Sequence, residues 1–279
     1  MAANNFTRSI LITGCSSGIG KVTAIGLRER GYRVFATARK QSDVETLEKA
    51  GFEAFRLDLA DSSSIQEAVN NTFQLTGGKL DALFNNGAFG QPGAVEDLSR
   101  DVLRHQFETN LFGTHELTNL VLPKMRLQGH GRIIYNSSVL GFVALTFRGA
   151  YNASKFALEG LVDTLRMELH NSNIHIVLIE PGPIVSKFRE NSFSLYKQFI
   201  DAESSPYRDL YRSMEVRLTT EGAAVPFTLP PEAVLEKVIL ALESPKPKIR
   251  YYVTLPTYIF AALSRVLPHR AMDWCLRRV

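Results

Sequence analysis

The stretch from Ser9 to Gly20 leaves this chain few ways to fold. Ser9 to Thr13 is a short apolar run with strand character, Gly14, Cys15, Ser16, Ser17, Gly18, Ile19 and Gly20 follow at once, and Lys21 to Arg30 has helical periodicity. Strand, glycine turn and helix in that order predict the opening unit of a parallel sheet. Gly14 would permit the tight turn, Gly18 would let a pyrophosphate approach the backbone, and Gly20 would let the helix pack closely on the strand with its N-terminus facing the phosphates. A plain β-to-α loop also favours glycine, but three in this context favour a dinucleotide site whose contacts are Gly14, Ser16, Ser17, Gly18, Ile19 and Gly20.

The length of 279 residues, with 45% hydrophobic and 22% charged, suits one large α/β domain. A net charge of +4, with no arginine-rich helix and no zinc-finger spacing, gives nucleic-acid binding no support, and no metal is expected. The cysteines, Cys15 and Cys275, form no disulfide framework and fit a reducing compartment. Met1 to Arg8 is polar and no apolar run approaches the length of a membrane span, so a cytoplasmic protein is expected.

Further strands are expected at 33–38, 53–57, 80–84, 132–136, 174–179 and 250–254, with helical stretches between them. Ser42 and Glu45 predict a capping box for a helix over 43–50. The second strand ends where a dinucleotide fold distinguishes its cofactors. Tyr32 to Lys40 contains no acid to bond a ribose 2′-hydroxyl, and Arg39 and Lys40 close it, which favours the 2′-phosphate of NADP with Arg39 as the main contact. Asp58, with Leu59 beside it, stands at the third strand end, where it serves either an adenine amine or a turn. The fourth strand delivers Asn85, Asn86, Gly87 and Ala88 to the carboxyl edge, where ligands bind in open α/β folds. One long helical stretch from Ser99 or Arg100 to Leu127 holds Asn110, which either turns to solvent or joins a polar relay.

The fifth strand ends in Ser137 and Ser138, and the helix over 150–171 carries Tyr151 and Lys155 four residues apart on one face. In isolation such a pair is usually a solvated surface. Facing Ser138 across one crevice it becomes an acid/base site, because a phenol with a pKa of about 10 needs a nearby cation to exchange protons near neutrality.

Together these residues resemble the short-chain dehydrogenase/reductase family over about residues 8 to 254. The family's T-G-x-x-x-G-x-G stands at Thr13 to Gly20, its N-N-A-G at Asn85 to Ala88, its Asn at Asn110, its Ser at Ser138, its Y-x-x-x-K at Tyr151 and Lys155, and its P-G turn at Pro181 and Gly182. The second motif reads N-N-G-A here, and Ser186 stands where the family usually has Thr. The resemblance implies a single domain on a doubly wound, parallel, seven-stranded Rossmann-type sheet, with a cofactor half over about 8–135 and a catalytic half over about 136–254. It implies NADP(H) as cofactor, Tyr151 as the proton donor or acceptor with its pKa lowered by Lys155, and Ser138 bonded to the substrate oxygen. It further implies Lys155 on the nicotinamide ribose, Asn110 holding a relay water, and cofactor contacts at Asn85, Gly87, Pro181, Gly182, Ile184 and Ser186. A non-catalytic NADP-binding protein would be expected to have lost one of Asn110, Ser138, Tyr151 or Lys155, and all four are present.

Residues 187–228 exceed what the sheet needs and carry Phe188, Phe193, Tyr196, Phe199, Tyr207 and Tyr211. The resemblance makes them a substrate lid facing Phe142, Val143, Leu145 and Phe147, with Phe142, Val143, Phe147 and Phe188 as the substrate contacts; the alternative is a satellite core. A lipophilic aldehyde, ketone or alcohol suits such a wall. The end, 246–279, nets +6 and is apolar as well as basic, so it packs on its own domain or on a second subunit of a homo-dimer or tetramer, or it touches an anionic membrane surface. Its K-P-K-I-R-Y-Y and L-P-H-R-x-M-D look like the tail of bacterial NADP-dependent aldehyde reductases, and more loosely of retinol and 17β-hydroxysteroid dehydrogenases.

Overall fold

Seven parallel strands form one sheet in the computed structural model, which describes residues 8–220, 222, 223 and 225–278. The polar stretch before Arg8 lies outside the described residues, as do Glu221 and Ala224 of the lid segment and Val279 of the tail. The strands are β1 (Arg8–Ile12), β2 (Tyr32–Ala38), β3 (Glu53–Arg56), β4 (Ala82–Asn85), β5 (Gly131–Asn136), β6 (Ile174–Glu180) and β7 (Arg250–Tyr252). Their order is β3-β2-β1-β4-β5-β6-β7. The chain winds outward from β1 to β3, then returns to β4 on the other side of β1. That reversal opens a crevice at the carboxyl ends of β1 and β4, where the glycine turn and Asn85–Ala88 both lie.

Successive strand residues face opposite sides, and both sides are covered. Ile10, Ile12, Val34 and Ala36 pack against α1 (Gly18–Glu29), α2 (Gln41–Lys49) and α9 (Glu232–Glu243). Leu11, Phe35, Leu83 and Ile133 pack against α3 (Ser62–Thr76), α5 (Thr114–Gln128) and α6 (Gly149–Glu168). Because every strand is sandwiched between helices, strand residues read as continuous apolar runs rather than alternating ones.

Two local expectations fail. The helix α2 starts at Gln41, so Ser42 lies inside its first turn, no side-chain cap forms, and the Ser42 carbonyl accepts from Thr46 Oγ1 at 2.8 Å. Side-chain caps are observed at Asp61, which accepts from the amides of Ser63 and Ser64 at the start of α3, and at Ser99, which accepts from the Val102 amide at the start of α4 (Arg100–Phe107). The long helical stretch is also interrupted: α4 passes into a π-helical turn, Glu108–Gly113, before α5. Gly113 ends that turn against the Leu59 main chain, where a Cβ would collide with the Leu59 carbonyl. A regular α-helix would turn these residues differently, so the wide turn sets both Asn110 and the approach of α5 to Leu59.

Between β6 and α9 the segment expected as a lid forms α7 (Phe188–Phe199) and α8 (Arg208–Thr219). It has its own small core of Ala94, Tyr196, Ile200, Tyr211, Met214 and Leu218. The tail forms α10 (Leu255–Val266) and α11 (His269–Leu276). Among the described residues no helix is long and apolar enough to cross a membrane.

Candidate active site

The glycine turn adopts backbone that side chains would strain. Gly14 and Gly18 have φ of 72° and 55°, in the left-handed region. Gly20 packs on the Gly14 carbonyl so closely that any Cβ would collide with it. Ser17 caps α1 without spending its side chain there, while Ser16 is exposed and Ile19 half-buried. A Cβ on Gly18 would lie 3.0 Å from the Cβ of Ser186, so the loop after β6 closes over the turn. Cys15 belongs to the core instead, and burial pushes its thiol up to about 12, which makes it inert.

Asn86, rather than Asn85, ties the two strand ends together. Its Nδ2 donates to the Thr13 carbonyl at 2.9 Å, its main-chain amide donates to Thr13 Oγ1 at 2.9 Å, and its Oδ1 accepts from Asn136 Nδ2 at 2.9 Å. Asn85 is turned away and donates to Thr118 Oγ1 at 3.1 Å on α5, so its side chain does not face the crevice. The next residue shows why the order Gly-Ala is suitable here: a Cβ on Gly87 would press on Leu59 and Thr13 at 3.1 and 3.2 Å.

Arg39 and Lys40 project from the end of β2, both exposed, and neither makes an ion pair or side-chain hydrogen bond among the described residues. Asp58 is half-buried, and its Oδ1 accepts from the Ala60 amide at 3.0 Å, the turn role rather than an open carboxylate. Pro181 accepts from the Val139 amide at 2.8 Å, and Gly182 is pressed on Thr254, which holds the loop of Ile184 and Ser186 over the crevice.

Ser138 and Tyr151 meet where β5 ends and α6 begins. The Ser138 hydroxyl accepts from the Leu140 amide at 3.1 Å and lies beside the Tyr151 phenol. One turn along α6, the Lys155 ammonium lies 5.7 Å from the Tyr151 ring centre and donates to the Asn136 carbonyl at 2.7 Å. Burial pushes the phenol up to about 12 with Ser138 opposing, and burial brings Lys155 down to about 8 with Glu159 opposing. This differs from the expectation that Lys155 lowers the phenol: both groups are desolvated, and the ammonium is bonded to a carbonyl, not to the phenol.

Asn110 is buried in a defined set of contacts. Its Oδ1 accepts from the Phe89 amide at 3.1 Å, and its Nδ2 donates to the Phe89 carbonyl at 2.9 Å and to Ser154 Oγ at 3.1 Å. The side chain therefore clamps the loop after β4 to the helix of Tyr151. Of the substrate candidates, Phe188 sets its ring edge-on to Tyr151 with centroids 5.3 Å apart. Phe142 leans on Tyr252, Val143 is buried, and Phe147, at φ 57°, packs into the lid core against Tyr207 and Tyr211. Tyr196 and Tyr211 are also core, as the satellite alternative has it.

Behind the site lies a polar group that sequence reasoning missed. Arg250 donates to Glu159 at 2.8 Å, to Asp163 at 2.9 Å and to Glu180 at 3.0 Å. The available signal was the pair of acids placed inside apolar runs, Glu159 one turn past Lys155 and Glu180 at the end of β6.

An open, doubly wound sheet with a glycine turn at its switch point and a Ser, Tyr and Lys at the neighbouring strand end defines an oxidoreductase of the dinucleotide-dependent kind. The chain belongs to the short chain dehydrogenase family, whose pattern its residues 8–196 match. It is 43% identical over 270 residues to the uncharacterized oxidoreductase YbbO of Escherichia coli K12, covering 97% of this chain and 94% of that one. Human retinol dehydrogenase 8 is 34% identical over 258 residues, covering 87% of this chain and 80% of that one. The crystal structure of a short-chain dehydrogenase from Streptomyces avermitilis superposes with a TM-score of 0.77 at 27% identity, covering 93% of each chain.

Proposed function

We propose that this protein interconverts a lipophilic aldehyde or ketone and its alcohol with NADP(H), and that Tyr151 transfers the proton. The observation that carries this reading is the Tyr151 phenol itself, buried beside Ser138 and one helical turn from Lys155. Burial keeps the phenol neutral, the form that can give a proton to a carbonyl oxygen, while Ser138 can bond that same oxygen as negative charge builds on it. When bound, the nicotinamide supplies or takes up the hydride.

The residues fit such a cofactor. The left-handed Gly14 and Gly18 and the side-chain-free contact at Gly20 expose backbone at the start of α1, which suits a pyrophosphate. Exposed Arg39 and Lys40, with no acid on β2, support the 2′-phosphate of NADP over the hydroxyl of NAD. Lys155 is placed to hold ribose hydroxyls if its ammonium leaves the Asn136 carbonyl or shares it. The Phe188 ring against Tyr151 supports a lipophilic substrate, as does the likeness to a retinol dehydrogenase. The exposed Leu255, Tyr258, Ile259 and Val266 of α10, with Trp274, support a contact made by the tail, most simply with a second copy of the chain.

The test is NADPH oxidation against short and long aldehydes, retinal, steroid ketones and quinones, with Tyr151→Phe beside the wild type. The variant should lose roughly 10²–10⁴-fold in kcat while its affinity for NADPH stays near wild type. Retention of most of the turnover would remove Tyr151 from the role of acid.

A further inference from the structure

We propose that the substrate carries an oxyanion group, and that Arg148 and Arg217 receive it beneath the lid; this deepens the carbonyl reductase reading and rests on it. Arg148 stands three residues before Tyr151, at the start of the same helix. Its Nη1 donates to the Phe147 carbonyl at 3.2 Å and lies 3.5 Å from the Met214 sulfur on α8, and no carboxylate among the described residues pairs with it. Arg217, one turn beyond Met214 on α8, is likewise half-buried and has no ion pair or side-chain hydrogen bond among the described residues. Both residues thus belong to the seam between α8 and the helix of Tyr151, Arg148 against Met214 and Arg217 one turn along α8 from it.

The charges around that seam are committed elsewhere. Arg189 donates to the carbonyls of Thr220 at 2.8 Å, Arg217 at 3.3 Å and Gly222, so it braces the end of α8. Asp97 accepts from Tyr211 at 2.5 Å and from Ser205 at 2.7 Å, Glu215 pairs with Lys197 at 3.4 Å, and Glu96 faces Tyr207. Burial, then Arg217, lowers Arg148 to about 10, and burial, then Arg189, lowers Arg217, yet both remain cations at neutral pH.

Two partly buried cations on one seam, with no counter-ion among the described residues, are an unfavourable arrangement that is relieved when a ligand brings the anion. The guanidinium fork matches carboxylate, phosphate and sulfonate oxygens, which a lysine in its place would meet only as a point charge. One helical turn further on stands the phenol that would meet the carbonyl, with the Phe188 ring against it. The substrate class that fits is an oxo acid: a reducible carbonyl joined through an apolar chain to an oxyanion.

The deciding experiment compares ω-oxo acids of about six to ten carbons with n-alkanals of the same length in NADPH oxidation, for wild type, Arg148→Met, Arg148→Lys and Arg217→Gln. Calorimetry with decanoate and decyl phosphate accompanies it. In the wild type, kcat/KM for the oxo acid should exceed that for the alkanal roughly tenfold or more; the ratio should fall about tenfold in Arg148→Met, chiefly through KM, and recover in part in Arg148→Lys. Saturable binding of one of the two anions should be present in the wild type and absent in Arg148→Met. Equal kcat/KM for the two substrate classes in the wild type, or a ratio that Arg148→Met leaves unmoved, overturns the proposal. If neither class is reduced, the reductase reading fails but the anion site is still decided by calorimetry, where no saturable binding of either anion overturns it. If Arg148→Met does not fold, the wild-type ratio and its change in Arg217→Gln decide in the same directions.

Discussion

The Lys155 ammonium donates to the main-chain carbonyl of Asn136 at 2.7 Å. Asn136 in turn donates to Asn86, and Asn86 donates to the Thr13 carbonyl beside the glycine turn. One polar chain thus runs from the proposed proton-transfer site to the proposed phosphate site, through the ends of β5, β4 and β1. The helix of Tyr151 and the glycine turn are positioned by the same hydrogen bonds.

Burying Lys155 for this purpose has a cost that depends on pH. Its pKa falls from 10.5 to about 8 on folding, so between those values the unfolded chain binds more protons than the folded one and stability rises with pH. Urea denaturation of wild type and Lys155→Met should show the wild type gaining on the variant from pH 8 to 10.5, by roughly 3 kcal/mol at most. At pH 7, where the cost of burying the ammonium is fully present, the variant should be no less stable than the wild type but far below it in turnover. A stability difference that is flat across this window would mean that Lys155 is not desolvated as described.

Cofactor choice turns on the end of β2. Arg39→Asp removes a cation from the site proposed for the 2′-phosphate and introduces the acid that a ribose 2′-hydroxyl prefers. The ratio of kcat/KM with NADPH to that with NADH should fall by roughly tenfold to a hundredfold, the range expected for losing a charge-assisted hydrogen bond. Preference for NADH in the wild type would show that Arg39 is merely a solvated cation.

The sheet was legible because the parallel strands are sheathed on both faces and so read as apolar runs, as in Ile176 to Ile179. The Ser, Tyr and Lys were legible because helix period and strand ends fix where such residues fall. What escaped was chosen by tertiary contact. Asn85 and Asn86 are chemically identical, and only their pairing with Thr118 and Thr13 separates their roles. The π turn that holds Asn110 conforms at Gly113 to Leu59, fifty-odd residues earlier, and leaves no local signal. Phe147 looked like pocket wall, yet the lid core of Tyr207 and Tyr211 claims it.

Arg250 reaches three carboxylates from the last strand, and the deepest of them, Glu180, is fully buried. Burial and then Glu159 push Glu180 up to about 8, whereas Arg250 foremost holds Asp163 below its ordinary value. A raised carboxyl makes the folded state bind more protons than the unfolded one, so this group removes stability as pH climbs from about 4.5 to 8. Arg250→Met leaves Glu159 and Glu180 without their cation and should destabilise the protein by about 3–5 kcal/mol. Its deficit should be larger at pH 8 than at pH 5, when measured by denaturant unfolding. A deficit equal at the two pH values would mean that packing, not charge, is what Arg250 supplies.

Tyr211 fastens the lid to the body. Its hydroxyl donates to Asp97 at 2.5 Å and accepts from the Ala94 amide at 2.7 Å, so one side chain on α8 serves two groups of the segment that precedes α4. Burial and Asp97 both hold the phenol protonated, which keeps the donor role through the neutral range. Tyr211→Phe preserves the ring among Phe147, Tyr196 and Met214 but leaves the buried Ala94 amide unpaired, at a cost of about 1–3 kcal/mol. Because the lid has its own small core, that cost should appear as local opening rather than as loss of the sheet. Limited proteolysis should therefore cut the variant faster between α7 and α8, and KM for the carbonyl substrate should rise more than kcat falls. If the variant unfolds as a whole at lower denaturant with no gain in lid cleavage, the lid is one cooperative unit with the sheet, and Tyr211 is a core residue like any other.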